Sequence, residues 1–178
     1  VGGDGRANEN ITLTAMHTIW ARNHNIHVDT LVAAGFVGSA EAVFQAAKII
    51  NETEYQRVIY TDFADILLGG MQGSGQHGFD QYSRRANAGI SQEFNAAVYR
   101  FGHSMLTETV DMRAFNAVTG LAIAGDAGDK SMGLIEAFLN PMAYSSTTAG
   151  EVALGMGAQV GNAIDEWSPW RTGGTFTT

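Results

Sequence analysis

Apolar residues recur at intervals of three and four along much of the chain, the spacing that predicts helices. Leu13, Met16, Ile19 and Trp20 mark a first helix over residues 8–27, with His17 inside its apolar face. The longest periodic run is Val43, Phe44, Ala47, Ile50, Tyr55, Val58, Ile59, Phe63, Ile66 and Leu67. It predicts a second helix over 40–68, with Ser39 as its N-cap and Gly69-Gly70 as its stop. Residues 69–90 hold six glycines and little periodicity, so they predict a loop. A third helix is expected over 91–106, capped by Ser91, with Phe94, Ala97, Val98, Phe101 and Met105 as its stripe.

The pattern weakens after Thr107. Residues 116–130, "NAVTGLAIAGDAGDK", are small and glycine-rich and predict irregular backbone. A short helix is expected over 131–139 ahead of Pro141, and a weak one over 151–167. No internal repeat and no strand alternation stands out, so the expected fold is mainly α with long loops and little or no β.

Composition narrows the functional classes. The 178 residues, 45% of them hydrophobic, are enough for one domain with a real core. No run of eighteen apolar residues and no basic-then-apolar leader is present, so no membrane span is expected. A net charge of −8, with ten Lys and Arg of which only Arg84 and Arg85 are adjacent, argues against nucleic acid, which needs clustered cations. With no cysteine, disulfides, thiolate metal sites and thiolate nucleophiles are excluded, which suits a cytoplasmic or a bacterial extracellular protein. Any metal chemistry must then use histidine, carboxylate or a cofactor.

Candidate chemistry falls in a few places. Arg6 and Glu9, three apart in "GDGRANEN", are opposite charges at the mouth of the first helix. In "SQEFNAAVYRFGHSML", at about 100° per residue, His103 lies roughly 160° from Phe101 and Met105. It therefore shares a second face with Ala96, Tyr99 and Arg100, beside Gly102. By spacing alone His103 is a half-exposed histidine bonded to a neighbouring loop. His24 and His27 could chelate a metal, but no further ligand converges on them, and core or capping roles suit them better. Asp126 and Asp129 have the look of a calcium loop without its spacing. Glu52, Glu54, Asp62 and Asp65 fit a solvated helix face. "GGMQGSGQHG", with His77, lacks both the phosphate-loop lysine and the dinucleotide-loop spacing. Ser104 lacks the glycines of a nucleophile elbow.

Three stretches in register, "GDGRANENITLTAMHTIWARNHN", "FQAAKIINETEYQRVIYTDFADILLGG" and "GISQEFNAAVYRFGHSML", closely resemble the animal-type haem peroxidases, the peroxidase and cyclooxygenase superfamily, in its bacterial branch. The likeness runs from Gly3 to Leu106 and thins afterwards. It implies a helical haem-peroxidase-like domain of which residues 1–178 are the central part. It also implies haem b as cofactor, with hydrogen peroxide and a small organic or halide donor as partners.

Arg6 matches the distal arginine that helps polarise the peroxide O–O bond, a task suited to a permanently charged group with several fixed donors. Glu9 matches the glutamate that forms a haem ester in mammalian members. His103 matches the proximal histidine that ligates the haem iron. Arg100 matches the arginine that neutralises a haem propionate, and Gly102 would permit close approach to the ring.

Asn10 stands where halide-oxidising members carry a methionine joined to the haem as a sulfonium, a bond asparagine cannot form. The resemblance places three further features upstream of this chain: the distal histidine, the aspartate of a second ester and a calcium loop. It places the asparagine that bonds the proximal histidine downstream. Two alternatives to a peroxidase stand beside it. One is a fatty-acid dioxygenase, whose tyrosine sits three residues before the proximal histidine, where this chain has Arg100. The other is an inactive fragment or non-enzymatic helical module. By resemblance the parent is a secreted bacterial protein that acts in the response to oxidative stress.

Overall fold

A computed structural model describes residues 3–69, 82–125 and 128–164. Helices dominate, in the order α1 (Ile11–Ala33), α2 (Ala40–Val58), α3 (Ala64–Leu68), α4 (Gln92–Ala96), α5 (Leu134–Ala137) and α6 (Ala149–Ala158). Two short strands, β1 (Thr109–Met112) and β2 (Lys130–Gly133), lie between α4 and α5. The chain divides into two compact units, Trp20–Ala88 and the remainder, Val1–Ile19 with Gly89–Thr178.

The Trp20–Ala88 unit pairs the C-terminal part of α1 with α2. Helix α1 does not stop at residue 27 but runs to Ala33, where Gly35 takes φ +78°. Phe36 N–H then bonds Leu31 O at 3.0 Å and Gly35 N–H bonds Val32 O at 3.0 Å. These are the two reversed bonds of a glycine C-cap that satisfies the last carbonyls. Ser39 caps α2 as expected, its Oγ accepting from Ala42 N–H at 3.2 Å. The expected helix over 40–68 is helical throughout, although Ile59–Phe63 is a π-turn between α2 and α3. Gly69, at φ +71°, ends it as expected.

Across the pair, Trp20 meets Tyr55 edge to face with centroids 5.1 Å apart, and His24 packs on Phe44 at 4.8 Å. Among the described residues neither His24 nor His27 belongs to a group of three or more metal-ligating side chains. His24 Nε2 faces Phe44 O at 3.2 Å, and His27 Nε2 faces Glu54 Oε2 at 2.8 Å. Glu54 also accepts from Asn23 at 2.6 Å. These contacts hold the Glu54 carboxyl below its usual pKa, His27 contributing most. Glu52 pairs with Lys48 at 2.6 Å.

In the other unit, β1 and β2 pair antiparallel, with Thr109 opposite Gly133 and Met112 opposite Lys130. Val110 and Met112 point inward by the two-residue alternation of a strand. They join Ile11, Ala15, Leu134, Ala137, Ala149 and Val152 in one buried cluster. Its largest fully buried members, Ile11 and Val152, each contribute about 1.5–3 kcal/mol by leaving water. The buried residues of α1 are thus Ile11 and Ala15, whereas Met16 and His17 are exposed, contrary to the expected stripe. Helix α6 crosses β1 at Gly155, where a Cβ would stand 1.8 Å from Asp111 O. Only a glycine lets the two backbones approach so closely. Thr148 and Glu151 close a reciprocal capping box at the start of α6.

The later elements differ from expectation. Lys130–Gly133 is strand and helix begins only at Leu134, because pairing with β1 outweighs the weak local helical spacing. Helix α6 starts at Ala149 and ends at Ala158, short of the expected 151–167. Asp129 does not build a calcium loop. It accepts Ala114 N–H at 2.8 Å and Arg113 Nε–H at 3.4 Å, while Asp126 lies outside the described residues. The glycine stretch with His77 lies outside them as well.

Candidate functional site

Arg6, Glu9, Arg100 and His103 all belong to the same compact unit. Glu9 is not inside a helix, as an 8–27 helix would require, and Arg6 lies ahead of it as well. They occupy two consecutive turns closed by Ala7 N–H to Asp4 O at 3.1 Å and Glu9 N–H to Arg6 O at 2.9 Å. Helix α1 begins after them because Asn10 caps it. Its Oδ1 accepts from Leu13 N–H at 2.9 Å and also from the Thr12 hydroxyl. A side chain holding that first-turn donor ends the preceding turns and starts the helix.

The Arg6 side chain is 80% exposed, yet it is not loose. Asp4 Oδ1 accepts from Arg6 Nε at 3.0 Å and Oδ2 from Nη2 at 2.7 Å, a two-pronged pair, while Oδ1 also accepts the Arg6 backbone N–H at 2.8 Å. The Arg6 guanidinium holds the Asp4 carboxyl far below the usual carboxylate range. In return Asp4 raises the pKa of Arg6, with smaller contributions from Glu9 and Tyr99. The ion pair of Arg6 is thus with Asp4, two residues before it, and not with the opposite charge three residues after it.

Glu9 is half-buried, and its carboxylate accepts no hydrogen bond among the described residues. Its backbone is tethered instead, by Leu139 N–H to Glu9 O at 2.6 Å. Leu139 makes that bond at φ +51°, a conformation that costs a non-glycine residue about 1–2 kcal/mol. The tether compensates the strain and ties the 138–140 turn to the Glu9 turn.

The segment carrying His103 is not one α-helix over 91–106. Ser91 caps α4 as expected, accepting from Phe94 N–H at 3.2 Å, but the helix breaks at Ala97 (φ −131°, ψ −64°) and continues as a 3-10 helix, Val98–His103. The tighter winding changes the faces. At about 120° per residue, side chains three apart eclipse, so Arg100 and His103 project on the same side. Tyr99 turns to a different one, stacking on Phe94 at 6.2 Å with the Arg100 guanidinium 6.0 Å from its ring centre. The residue three before His103 is Arg100 and not Tyr99, and the dioxygenase alternative is not favoured.

His103 is exposed, and its Nδ1 lies 3.0 Å from Arg100 O. A carbonyl only accepts, so Nδ1 carries a proton, and in the neutral ring Nε2 then keeps its lone pair. Nε2 has no hydrogen-bond partner among the described residues. This tautomer is the one a metal-ligating imidazole requires. Space beside Gly102 is open: nothing lies within 4 Å of where its Cβ would be.

Two residues, Ser104 and Asn162, hold the turn behind His103 through three hydrogen bonds. Ser104 is buried and donates its hydroxyl to Phe101 O at 2.9 Å, so it is a structural residue and no nucleophile. Asn162, four residues beyond α6, donates its N–H to Met105 O at 3.0 Å and its Nδ2 to Leu106 O at 2.7 Å. No group of three or more metal-ligating side chains exists among the described residues, so a metal held here needs ligands of its own, as a porphyrin iron has.

Both the sequence and the fold are similar to those of known proteins. The pattern of the Animal haem peroxidase family matches residues 1–169. The chain is 36% identical over 107 residues to thyroid peroxidase of Homo sapiens, covering 60% of this chain and 12% of that protein. It is 33% identical over 132 residues to peroxidase mlt-7 of Caenorhabditis elegans, covering 72% and 18%. Its fold superimposes with a TM-score of 0.77 on Peroxidase A of Dictyostelium discoideum, at 22% identity, over 93% of this chain and 30% of that one. The chain therefore spans less than a third of the length of each of these relatives, and it belongs to the animal haem peroxidase family.

Proposed function

We propose that residues 1–178 form the central part of a haem peroxidase catalytic domain, with His103 as the iron ligand, Arg100 at a haem propionate, Arg6 at the peroxide and Glu9 at the haem edge. The observation that carries this reading is the placement of His103: its ring is exposed, Nδ1 lies 3.0 Å from Arg100 O, and Nε2 has no hydrogen-bond partner among the described residues. These residues fit the group. A single imidazole would supply one donor to an iron whose other ligands come with the group, and no set of three or more metal-ligating side chains exists among the described residues.

Haem, when bound, supplies the iron at which hydrogen peroxide is reduced by two electrons and a small donor is then oxidised. The chain's own contributions follow from its chemistry. The Nδ1–H bond to Arg100 O makes the His103 ring more electron-donating at Nε2. Arg100 projects beside His103 and offers a permanent positive charge to a carboxylate. Arg6 keeps guanidinium N–H groups free to stabilise the negative charge that develops on oxygen as the O–O bond breaks. Glu9, whose carboxylate accepts no hydrogen bond among the described residues and whose backbone is tethered, would be the residue joined to a haem methyl group, a C–H to C–O exchange that releases a proton and two electrons, which hydrogen peroxide would take up. Acid–acetone extraction of the full-length protein tests that bond, since haem that leaves freely rules it out.

The full-length protein is expected to show a histidine-ligated Soret band and peroxide-dependent oxidation of a phenolic dye. His103→Ala should lose both, and a variant that keeps both overturns the proposal. Titration of the 178-residue chain with hemin is expected to give a saturable Soret shift. No shift would mean that this chain alone is an inert helical module. The same reading extends to a secreted bacterial protein acting against peroxide, a calcium site outside this chain and a small organic or halide donor. Because Asn10 lacks a thioether, an organic donor is favoured over halide.

A further inference from the structure

We propose that Asp4 is the positioning residue for Arg6, fixing which guanidinium N–H groups face the peroxide. The proposal rests on the reading of Arg6 given above, and it goes beyond it by naming what aims that side chain. Three observations carry it. Asp4 takes Nε–H and one Nη2–H at 3.0 and 2.7 Å, while its Oδ1 also takes the Arg6 backbone N–H at 2.8 Å. One carboxylate thus grips both ends of the same side chain and removes most of its rotational freedom. Arg6 is also 80% exposed, so no packing would hold it if Asp4 let go. Finally, Asp4 sits in the turn closed by its own carbonyl to Ala7 N–H at 3.1 Å, and Ala7 is buried. The grip is therefore anchored to the protein interior by its backbone.

The geometry has a chemical consequence. A guanidinium held through Nε and Nη2 leaves both hydrogens of Nη1, and one of Nη2, directed away from the carboxylate. Those are the donors free to meet an oxygen that is gaining charge. A fixed fork loses less on reorganisation than one that must first find its orientation, and a misplacement on the order of 1 Å can lower a rate about 100-fold. Asp4 would also offset the charge of Arg6 without neutralising the free side of the fork.

The test uses the full-length haem-loaded protein with Asp4→Asn, Asp4→Glu and Arg6→Lys. Four quantities are measured: the second-order rate of reaction with hydrogen peroxide, the affinity of the ferric form for cyanide, the Soret band and the melting temperature. Asp4→Asn keeps an acceptor for the backbone N–H but loses the charged two-pronged grip. It should lower the peroxide rate about 10- to 100-fold and weaken cyanide binding, with an unchanged Soret band and melting temperature. Asp4→Glu should recover much of both losses. Asp4→Asn at the wild-type rate beside a slowed Arg6→Lys overturns the role of Asp4 and leaves the reading of Arg6 intact. A wild-type rate in Arg6→Lys overturns that reading itself. Losses in Asp4→Asn that come only with a shifted Soret band or a lowered melting temperature also overturn the proposal, since they assign Asp4 a structural role.

Discussion

Gly155 and Gly157, two residues apart in α6, separate helix propensity from packing in one experiment. Either glycine replaced by alanine gains about 1 kcal/mol from helix propensity alone. At Gly157 nothing lies within 4 Å of the new Cβ, so Gly157→Ala should realise up to that gain. At Gly155 the Cβ would sit 1.8 Å from Asp111 O, 2.4 Å from Asp111 C and 2.8 Å from Met112 Cα, where ordinary contact begins at 3.4 Å. All three atoms are backbone and cannot rotate aside, so α6 must lift off β1. Overpacking of this kind costs about 3 kcal/mol, which outweighs the propensity gain and leaves a net loss of about 2 kcal/mol.

For a chain of this size that loss lowers the melting temperature by about 4–8 °C, against a rise of about 2–4 °C for Gly157→Ala. Differential scanning calorimetry of the two variants beside wild type measures both. The consequence reaches the candidate site, because Asn162, just past α6, holds the Met105 and Leu106 carbonyls behind His103. Gly155→Ala should therefore also loosen the grip on haem, read as faster transfer of haem to apomyoglobin. Equal stabilisation by the two substitutions would refute the close crossing of α6 over β1.

Further outcomes are expected elsewhere. Asn10→Ala removes the side chain that bonds Leu13 N–H and should cost about 1 kcal/mol, seen as a lower urea midpoint. Glu54 has a folded pKa below the unfolded value of 4.5, so its stabilisation is present above about pH 4.5 and is lost as pH falls through the lower folded value. Glu54→Gln should therefore flatten the pH dependence of unfolding in that acidic window, which urea titrations at several pH values would show. Leu139→Pro both locks φ near −65° and deletes the N–H bonded to Glu9 O, so it should destabilise by about 3 kcal/mol or more, whereas Leu139→Gly should not destabilise. Thermal melts of the two variants distinguish them.

Much of the helical layout was legible because its signals are local. Ser39, Ser91 and Gly69 lie within a few residues of the backbone groups they satisfy, and each acts as its type and position predict. Two signals of the same kind went unread: Asn10 ahead of the first apolar run, and Gly35 in "AAGF", which stops α1 at the end the spacing had placed at residue 27. The apolar stripes were less reliable, because periodicity gives a face but not what lies against it. Ile11 and Ala15, not Met16, are buried because Val110, Met112 and Val152 come from sequence positions too distant for any window to include.

Sequence by itself determined the family, through three stretches in register, and with it the four residues that carry the candidate chemistry. It determined as well that no thiol takes part, since the chain has no cysteine. Tertiary structure decided what those residues can do. It gave Arg6 to Asp4 and not to Glu9, and tied Glu9 to a strained Leu139. It broke the expected proximal helix at Ala97 and wound Val98–His103 as a 3-10 helix, in which Arg100 bonds Asn95 O and lies against Tyr99. The physical reason is the range of the forces. A cap or a turn is settled within a few residues, whereas the direction of a side chain depends on the winding and the partners that the folded chain brings to it.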